Sequence, residues 1–399
     1  MASNNHHAGS DSRSGKPLGK SARNRIHSIT GDQVQRLLLK LDAISPRLPF
    51  LSSLPMQELT SSRDYMPGEV AAESNGGKVA AVNAGMGRHV LQESSILGHL
   101  RRIGAFDNID DDEVSFQQQK QQIAIEFGAG TGRLSERLRR CTKQGMRHIL
   151  IDRQEFASNQ CRDGAMRNRA ADTCNGESSV ERITGDIADF RFGEYCFSKV
   201  DGYNGNSPKS TICNFFCMSK HLCGPACDLA IEALGGDDVP CNSRPPFAFA
   251  TCCHYLCTWE SFSGKDYWLR LGLTEEDFEV AVAASQWYSM KGGKKKNQDV
   301  TEGSRNGPGQ EEISQNDLIS VFDNTGQVLK NLDDALRPSM PSKDFEQTFA
   351  REEKAELGCT VKRLLDLSRV ARLQEMGYKA ELVLYTTRSI ENRLLVGRL

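Results

Sequence analysis

No apolar run in this chain of 399 residues approaches the roughly 20 needed to cross a bilayer, so no membrane-spanning helix is expected. The first 28 residues lack the apolar core of a secretory signal and the amphipathic stripe of a transit peptide. A strong net charge is missing too. With 50 basic residues against 52 acidic, nothing global announces a polyanionic partner. There is no internal repeat, which sets aside solenoid architectures. Cysteine is absent before Cys141, yet the chain holds 13 of them. Without a signal peptide, that usage predicts free thiols in a reducing compartment, and hence a soluble protein of nucleus or cytoplasm. The charge that is present is uneven. Arg13, Lys16, Lys20, Arg23 and Arg25 face Asp11 alone, and such a basic tail suits nuclear import or RNA contact equally.

The most informative stretch is IAIEFGAGTGRLSERL, 123–138. Ile123 to Phe127 reads as a buried strand carrying Glu126 near its end. Gly128, Gly130 and Gly132 then lead into a helix with Leu134 and Leu138 one turn apart. In an open α/β sheet this strand–loop–helix holds a nucleotide-like ligand, and glycines let it approach the backbone. A dinucleotide site wants Gly-x-Gly-x-x-Gly, but here Arg133 occupies the third glycine's place and Gly132 comes one residue early. A carboxylate also repels pyrophosphate. Glu126 instead suits the ammonium end of S-adenosylmethionine. An ordinary tight βα turn is the plainer alternative.

Two downstream acids favour the cofactor. His148–Asp152 reads as a second strand ending where a doubly wound fold places the acid for ribose hydroxyls. After the short strand Val180–Thr184, Asp186 offers a carboxylate to the adenine amine and Ile187 an apolar face to its ring. Singly, each acid would be a solvated loop residue or helix cap; their order after the glycine loop carries the reading.

The pattern divides the chain into a disordered basic tail (1–28), a helical N-terminal extension (29–110) and a methyltransferase domain (111–399) with a flexible insertion near 290–316. Asp32 is the expected N-cap of a first helix presenting Val34, Leu37, Leu38 and Leu41. Residues 87–100 read as a second helix, 56–86 are weakly patterned, and 171–179 and 201–210 read as polar insertions. A long helix over 351–370 stops at Gly377, and strands Lys379–Tyr385 and Arg393–Val396 follow. That ending matches the antiparallel last strand of class I methyltransferases. The fold class is therefore α/β, Rossmann-like, with a mostly parallel seven-stranded sheet.

Two more strands end among reactive side chains. Ile212–Met218 is expected to leave Ser219, Lys220, His221 and Cys223 on a loop, with Pro225 opening the next helix. The strand from Phe247 ends at Cys252, Cys253 and His254. Structural zinc usually shows two separated Cys-x₂₋₄-Cys or His-x₃₋₅-His pairs, and the four-residue periods Cys213/Cys217 and Cys223/Cys227 suit buried thiols better. No metal is expected.

The segments RHxxQxxSILGHL from Arg88, SKHLCG, ATCCHYxC from Ala250, GKDYW and ENRLL from Glu391 resemble the eukaryotic tRNA ribose 2'-O-methyltransferases that modify the fourth nucleotide, in the acceptor stem. The resemblance covers most of 87–399 apart from the insertions. It implies S-adenosylmethionine as methyl donor and tRNA as substrate. That family usually carries two small zinc modules ahead of its catalytic domain. Here no cysteine precedes Cys141 and the tail offers only His6, His7 and His27, so either a protein partner or the basic tail is expected to stand in for the modules, or the specificity differs.

A ribose hydroxyl is a poor nucleophile, so a base should assist it. Lys220 is the favoured base or hydroxyl-positioning group, with His221 and His254 orienting. Against this, a loop lysine is commonly solvated and a histidine beside a strand is often a core residue. Arg153, Arg162, Arg167, Arg169 and Lys265 are the candidate RNA contacts, each of which as a single residue reads equally as solvated surface charge. A covalent thiolate mechanism requires a pyrimidine ring and an acidified cysteine, which neither cysteine cluster advertises. Two other readings remain: the same fold acting on a protein or small molecule, and a zinc-stabilised RNA-binding protein with a vestigial cofactor site.

Overall fold

The computed structural model describes residues 25, 28–48, 57, 59, 88–106, 122–142, 146–172, 179–196, 214–236, 239, 244–289, 349–387 and 389–399. The weakly patterned 60–86, the insertions 173–178 and 201–210, the 290–316 segment and nearly all of the basic tail lie outside them. Arg25 is the tail's described arginine. It donates to the Cys257 carbonyl at 2.7 Å and pairs with Glu279 at 3.6 Å.

Strands β1 (Gln122–Phe127), β2 (Arg147–Asp152), β3 (Val180–Thr184), β4 (Asn214–Cys223), β5 (Phe247–Cys252), β6 (Lys379–Leu384) and β7 (Arg393–Arg398) form one sheet in the order β3-β2-β1-β4-β5-β7-β6. The pairs from β3 through to β5 are parallel, and β7 runs antiparallel to both β5 and β6. The expected mostly parallel sheet with an antiparallel last strand is present.

Alternation within β1 sorts the two faces, as the period of a strand requires. Ile123, Ile125 and Phe127 enter the larger core with β4 and β5 partners such as Phe215, Cys217 and Phe249. Helices α5 (Pro225–Leu234), α6 (Lys265–Arg270), α7 (Glu275–Ala284) and α8 (Arg351–Glu375) cover that side, contributing Ile231, Trp268, Phe278 and Leu364. Ala124 faces the other way, toward α2 (Arg88–Arg102) and α3 (Arg133–Cys141), where Ile96, Leu97, Leu134 and Leu138 close a second core. Met166 of α4 (Asp163–Asp172) packs with Ala129, Leu150 and Val180. The result is helix on both faces of one sheet.

Helix α1 (Gly31–Ile44) buries Val34, Leu37, Leu41 and Ile44 and anchors Lys40 to Asp277 of α7 at 2.9 Å. Its cap is Thr30, not the expected Asp32. The Thr30 hydroxyl accepts from the Gln33 N–H while Gln33 Oε1 accepts from the Thr30 N–H, a reciprocal box that Asp32 is two positions too late to form. No described helix is long and apolar enough to cross a membrane.

The expected end of β4 at Met218 is also corrected. Pairing with β5 continues to Cys223, but three steps on β4 (Ser219 to Leu222) oppose two on β5 (Phe249 to Thr251). One residue is extra, so Lys220 and His221 sit on a β-bulge within the strand rather than on a loop. The polar sequence Ser-Lys-His imitates a loop because a bulge frees it from strict alternation.

Candidate functional site

The β1–α3 loop lies where the strand order turns back, between β2 and β4, which is the ligand position of open α/β sheets. Its glycines have separable duties. Gly128 (φ +62) passes so near β4 that a Cβ would stand 3.0 Å from the His221 carbonyl oxygen. Gly132 (φ +81) would bring a Cβ within 2.7 Å of Leu150 on β2. It therefore performs the helix-to-strand packing that sequence spacing assigns to a third glycine. A Cβ at Gly130 (φ +52) would meet nothing within 4 Å, so the space beside it is open to a ligand.

Asp152 is placed as expected, at the end of β2 beside this loop. Its carboxylate accepts from the Gly130 N–H and the Gln154 N–H, both at 2.8 Å. Arg182 of β3 fastens the loop from below, donating to the Gly130 carbonyl at 2.8 Å while gripping both Asp163 oxygens at 2.8 Å. Glu126 is buried and turned toward α3. Oε2 accepts from the Ser135 hydroxyl at 2.6 Å and from its N–H at 3.0 Å, satisfying one of the helix's free donors. Burial raises its pKa to about 7 against those bonds.

Asp186 caps the short turn after β3 through the Ala188 N–H at 3.1 Å and meets Arg153 at 3.5 Å. Ile187 is only 5% exposed and packs in the large core, so its side chain faces inward rather than to the crevice. Arg162 leans on Glu136 at 3.6 Å and remains half exposed. Arg167 donates to the Val180 carbonyl at 3.3 Å, whereas the side chain of Arg169 lies outside the described set. Lys265 donates to the Glu260 carbonyl and sits 5.8 Å from the centre of the Trp259 ring. Arg153, Arg162, Arg167 and Lys265 thus each have a local partner.

Lys220 is the best supported of the catalytic candidates by position. Its side chain is 10% exposed, and Nζ lies 2.6 Å from Glu93 Oε1 and 3.1 Å from His89 Nδ1, both on α2. Glu93 also receives Arg137 at 2.9 Å. Desolvation lowers the Lys220 pKa despite the Glu93 charge. For Glu93, burial pushes upward, but Lys220 and Arg137 outweigh it and the net shift is downward. His221 next door is lowered by desolvation and by the Lys220 charge, which keeps its imidazole neutral at pH 7. Sequence reading missed His89 and Glu93, although their i, i+4 spacing put them on one face of a helix already recognised. It also missed Arg182 and Asp163, whose partnership leaves no local signature.

His254 is fully enclosed. Its Nε2 sits 2.9 Å from both Asp366 oxygens, and Asp366 also takes the Thr251 hydroxyl and Arg369. Arg369 continues to Asp228 on α5 at 2.6 Å. Burial lowers the His254 pKa, so the neutral ring donates its proton to a carboxylate held far below its usual range. This buried chain sets the turn after β5 against α8 and α5.

That turn meets β4 at Gly224 (φ +56), where a Cβ would fall 2.5 Å from the Leu256 Cβ. The contact brings Cys223 Sγ to 3.2 Å from Cys252 Sγ, with Cys253 beside them. Hydrogen bonds from Cys223 and Cys252 hold Cys253 below the usual thiol range, while Cys252 is pushed up. Cys217 and Cys227 are core-packed thiols, as expected of them.

A model of the family described as Methyltransferase TRM13 matches residues 91–398. The chain is similar to the fission yeast (Schizosaccharomyces pombe) "tRNA:m(4)X modification enzyme TRM13", 24% identical over 317 residues, covering 78% of this chain and 67% of the relative. The Dictyostelium discoideum homologue is 25% identical over 318 residues (78% and 52%), and the mouse homologue 26% over 353 residues (78% and 64%). The chain thus spans about half to two thirds of the length of these curated relatives. No solved structure matches.

Proposed function

Because the chain belongs to the methyltransferase TRM13 family, a family of tRNA modification enzymes, we propose that it methylates the ribose 2'-hydroxyl of the fourth tRNA nucleotide, in the acceptor stem, using S-adenosylmethionine. The observation that carries this reading is the apposition of Gly128 to His221, which sets the ligand-bearing loop directly against the Lys220 bulge. The reversed β7 between β5 and β6 supports the class I, Rossmann-like assignment.

The residues fit the methyl donor. Gly130 puts no Cβ in the ligand's way, Asp152 stands beside it for ribose hydroxyls, Asp186 offers a carboxylate for the adenine amine, and Glu126 shapes the loop at the amino-acid end. Bound there, S-adenosylmethionine supplies an electrophilic methyl group on a sulfonium. Lys220, lowered by burial, takes or orients the proton of the ribose hydroxyl, and Glu93 stabilises the resulting ammonium. His221 orients the hydroxyl from the same bulge. His254 acts at one remove, holding the β5 turn through Asp366. Arg153, Arg162 and Lys265 are the phosphate contacts of an A-form stem.

The test is transfer of labelled methyl to unmodified tRNA transcripts, followed by mapping of the labelled nucleotide. Label on an acceptor-stem ribose is expected; label only on protein or small molecules would move the acceptor elsewhere. Lys220→Ala should bind cofactor and tRNA normally yet slow single-turnover transfer by roughly 10²–10⁴-fold, the usual worth of a positioned proton acceptor. A wild-type rate removes Lys220 from the role.

A further inference from the structure

Three sulfurs at the carboxyl ends of β4 and β5 are unexplained by methyl transfer. Cys223 closes β4, Cys252 closes β5, and the Sγ atoms of these two and Cys253 all lie within 4.8 Å of one another. Packing alone does not account for the backbone that gathers them. Cys253 (φ +49) is the only non-glycine with positive φ among the described residues. A side chain held there costs on the order of 1–3 kcal/mol and persists where its surroundings impose it. Gly224 contributes the second unusual conformation, admitting Leu256 so that the two strand ends can meet.

The spacing suits a tetrahedral soft cation. Zinc–sulfur bonds of about 2.3 Å place ligand sulfurs ~3.8 Å apart. The Cys223–Cys252 pair, at 3.2 Å, and the 4.8 Å limit on the group bracket that edge. Cys252 is buried, whereas Cys223 and Cys253 are half-buried, so the triangle is walled behind and accessible in front. Three thiolates around a divalent cation leave one net negative charge, and the Lys362 ammonium, itself paired with Glu391 at 2.6 Å, exerts a weak pull on Cys253. Such outer partners steady a metal's ligands.

We propose that Cys223, Cys252 and Cys253 bind one zinc ion through three thiolates, with the fourth position left to water or an outside donor. Each thiol gives its proton to solvent as its bond to zinc forms, and the ion's charge is unchanged. The metal ties β4 to β5 just beyond the Lys220 bulge and holds Cys253 in its left-handed conformation. The arrangement escapes the rule of two separated cysteine pairs because one ligand pair is adjacent in sequence and the third comes from a neighbouring strand.

The experiment uses the full chain purified under reducing conditions without chelator. Elemental analysis should find about one zinc per chain, and replacement by cobalt should give a thiolate-to-metal charge-transfer band. Cys223→Ser, Cys252→Ser and Cys253→Ser should each lower metal content at least tenfold, while Cys161→Ser should leave it unchanged. A measurement on the wild-type chain guards against variants that fail to fold. Cys223 and Cys253 should resist alkylation until a chelator is added, with Cys161 labelled equally in both states. Absence of stoichiometric metal, metal that survives all three substitutions, chelator-independent labelling, or a Cys223–Cys252 disulfide in protein prepared without reductant would each overturn the site.

Discussion

At the scale of single residues, Lys220 and Glu93 make the most direct claim on activity. Glu93 favours the charged form of Lys220, so the rate should rise with pH as that proton is lost. Glu93→Gln removes the opposing charge and should move this limb toward acid by roughly one unit, the lower end of what a neighbouring charge does. A pH profile of single-turnover rate reads it; an unmoved limb would mean that another group accepts the proton. Glu126 gives a stability counterpart. Its folded pKa, raised to about 7, favours the protonated fold, so its contribution is complete below the unfolded value near 4.5 and is lost as pH climbs through about 7. Glu126→Gln keeps a polar group for Ser135, should flatten melting temperature across that window, and should exceed wild-type stability at pH 8 by on the order of 1–3 kcal/mol. The glycines and Asp152 were legible in the sequence because their spacing is local. Glu93, His89 and Arg182 were not, because each finds its partner across the fold.

Among elements, α8 does more than close the large core. Its Asp366 and Arg369 reach β5, the following turn and α5, so one helix face fixes three others. Asp366→Asn leaves Arg369 short of a buried counter-charge and should cost roughly 3–5 kcal/mol, measurable by denaturant unfolding. A loss below 1 kcal/mol would show the network to be peripheral. Most elements announced themselves by period: the leucines of α8, the apolar run of β1, Pro225 at the head of α5. The misreadings differ in cause. Thr30 and Gln33 outcompete Asp32 through a reciprocal bond pattern, and β4 runs on through a bulge that breaks the alternation by which strands are recognised. The first was readable as Thr-x-x-Gln, the spacing of a capping box, whereas the bulge depends on backbone geometry that composition does not encode.

Across the whole molecule, the mostly parallel sheet and its reversed last strand followed from the alternation of strands and helices and from the terminal helix–strand–strand pattern. The assembly of the site did not. Its side chains come from α2, the bulge of β4, the turn after β5 and α8, stretches far apart in sequence that are brought together only by the sheet. Gly224 and Leu256 are the tightest such junction, and they bear on how the chain can vary over generations. A Cβ at 224 would press on the Leu256 Cβ at 2.5 Å and on its backbone carbonyl carbon and oxygen at 2.9 and 3.0 Å, so shortening the side chain at 256 yields no room. Gly224→Ala alone should cost about 1–3 kcal/mol, the usual range for overpacking, and Leu256→Ala alone should cost stability as well. Alanine at 256 keeps every obstructing atom, so the double variant should lose about the sum of the two, and unfolding of all four members of the cycle measures it. A double variant that loses clearly less would mean that the side chain beyond Cβ is what resists. The glycine is then held by main chain rather than by a neighbour's bulk: drift at 256 does not release it, and lineages carrying this junction can vary one side while the other stays fixed.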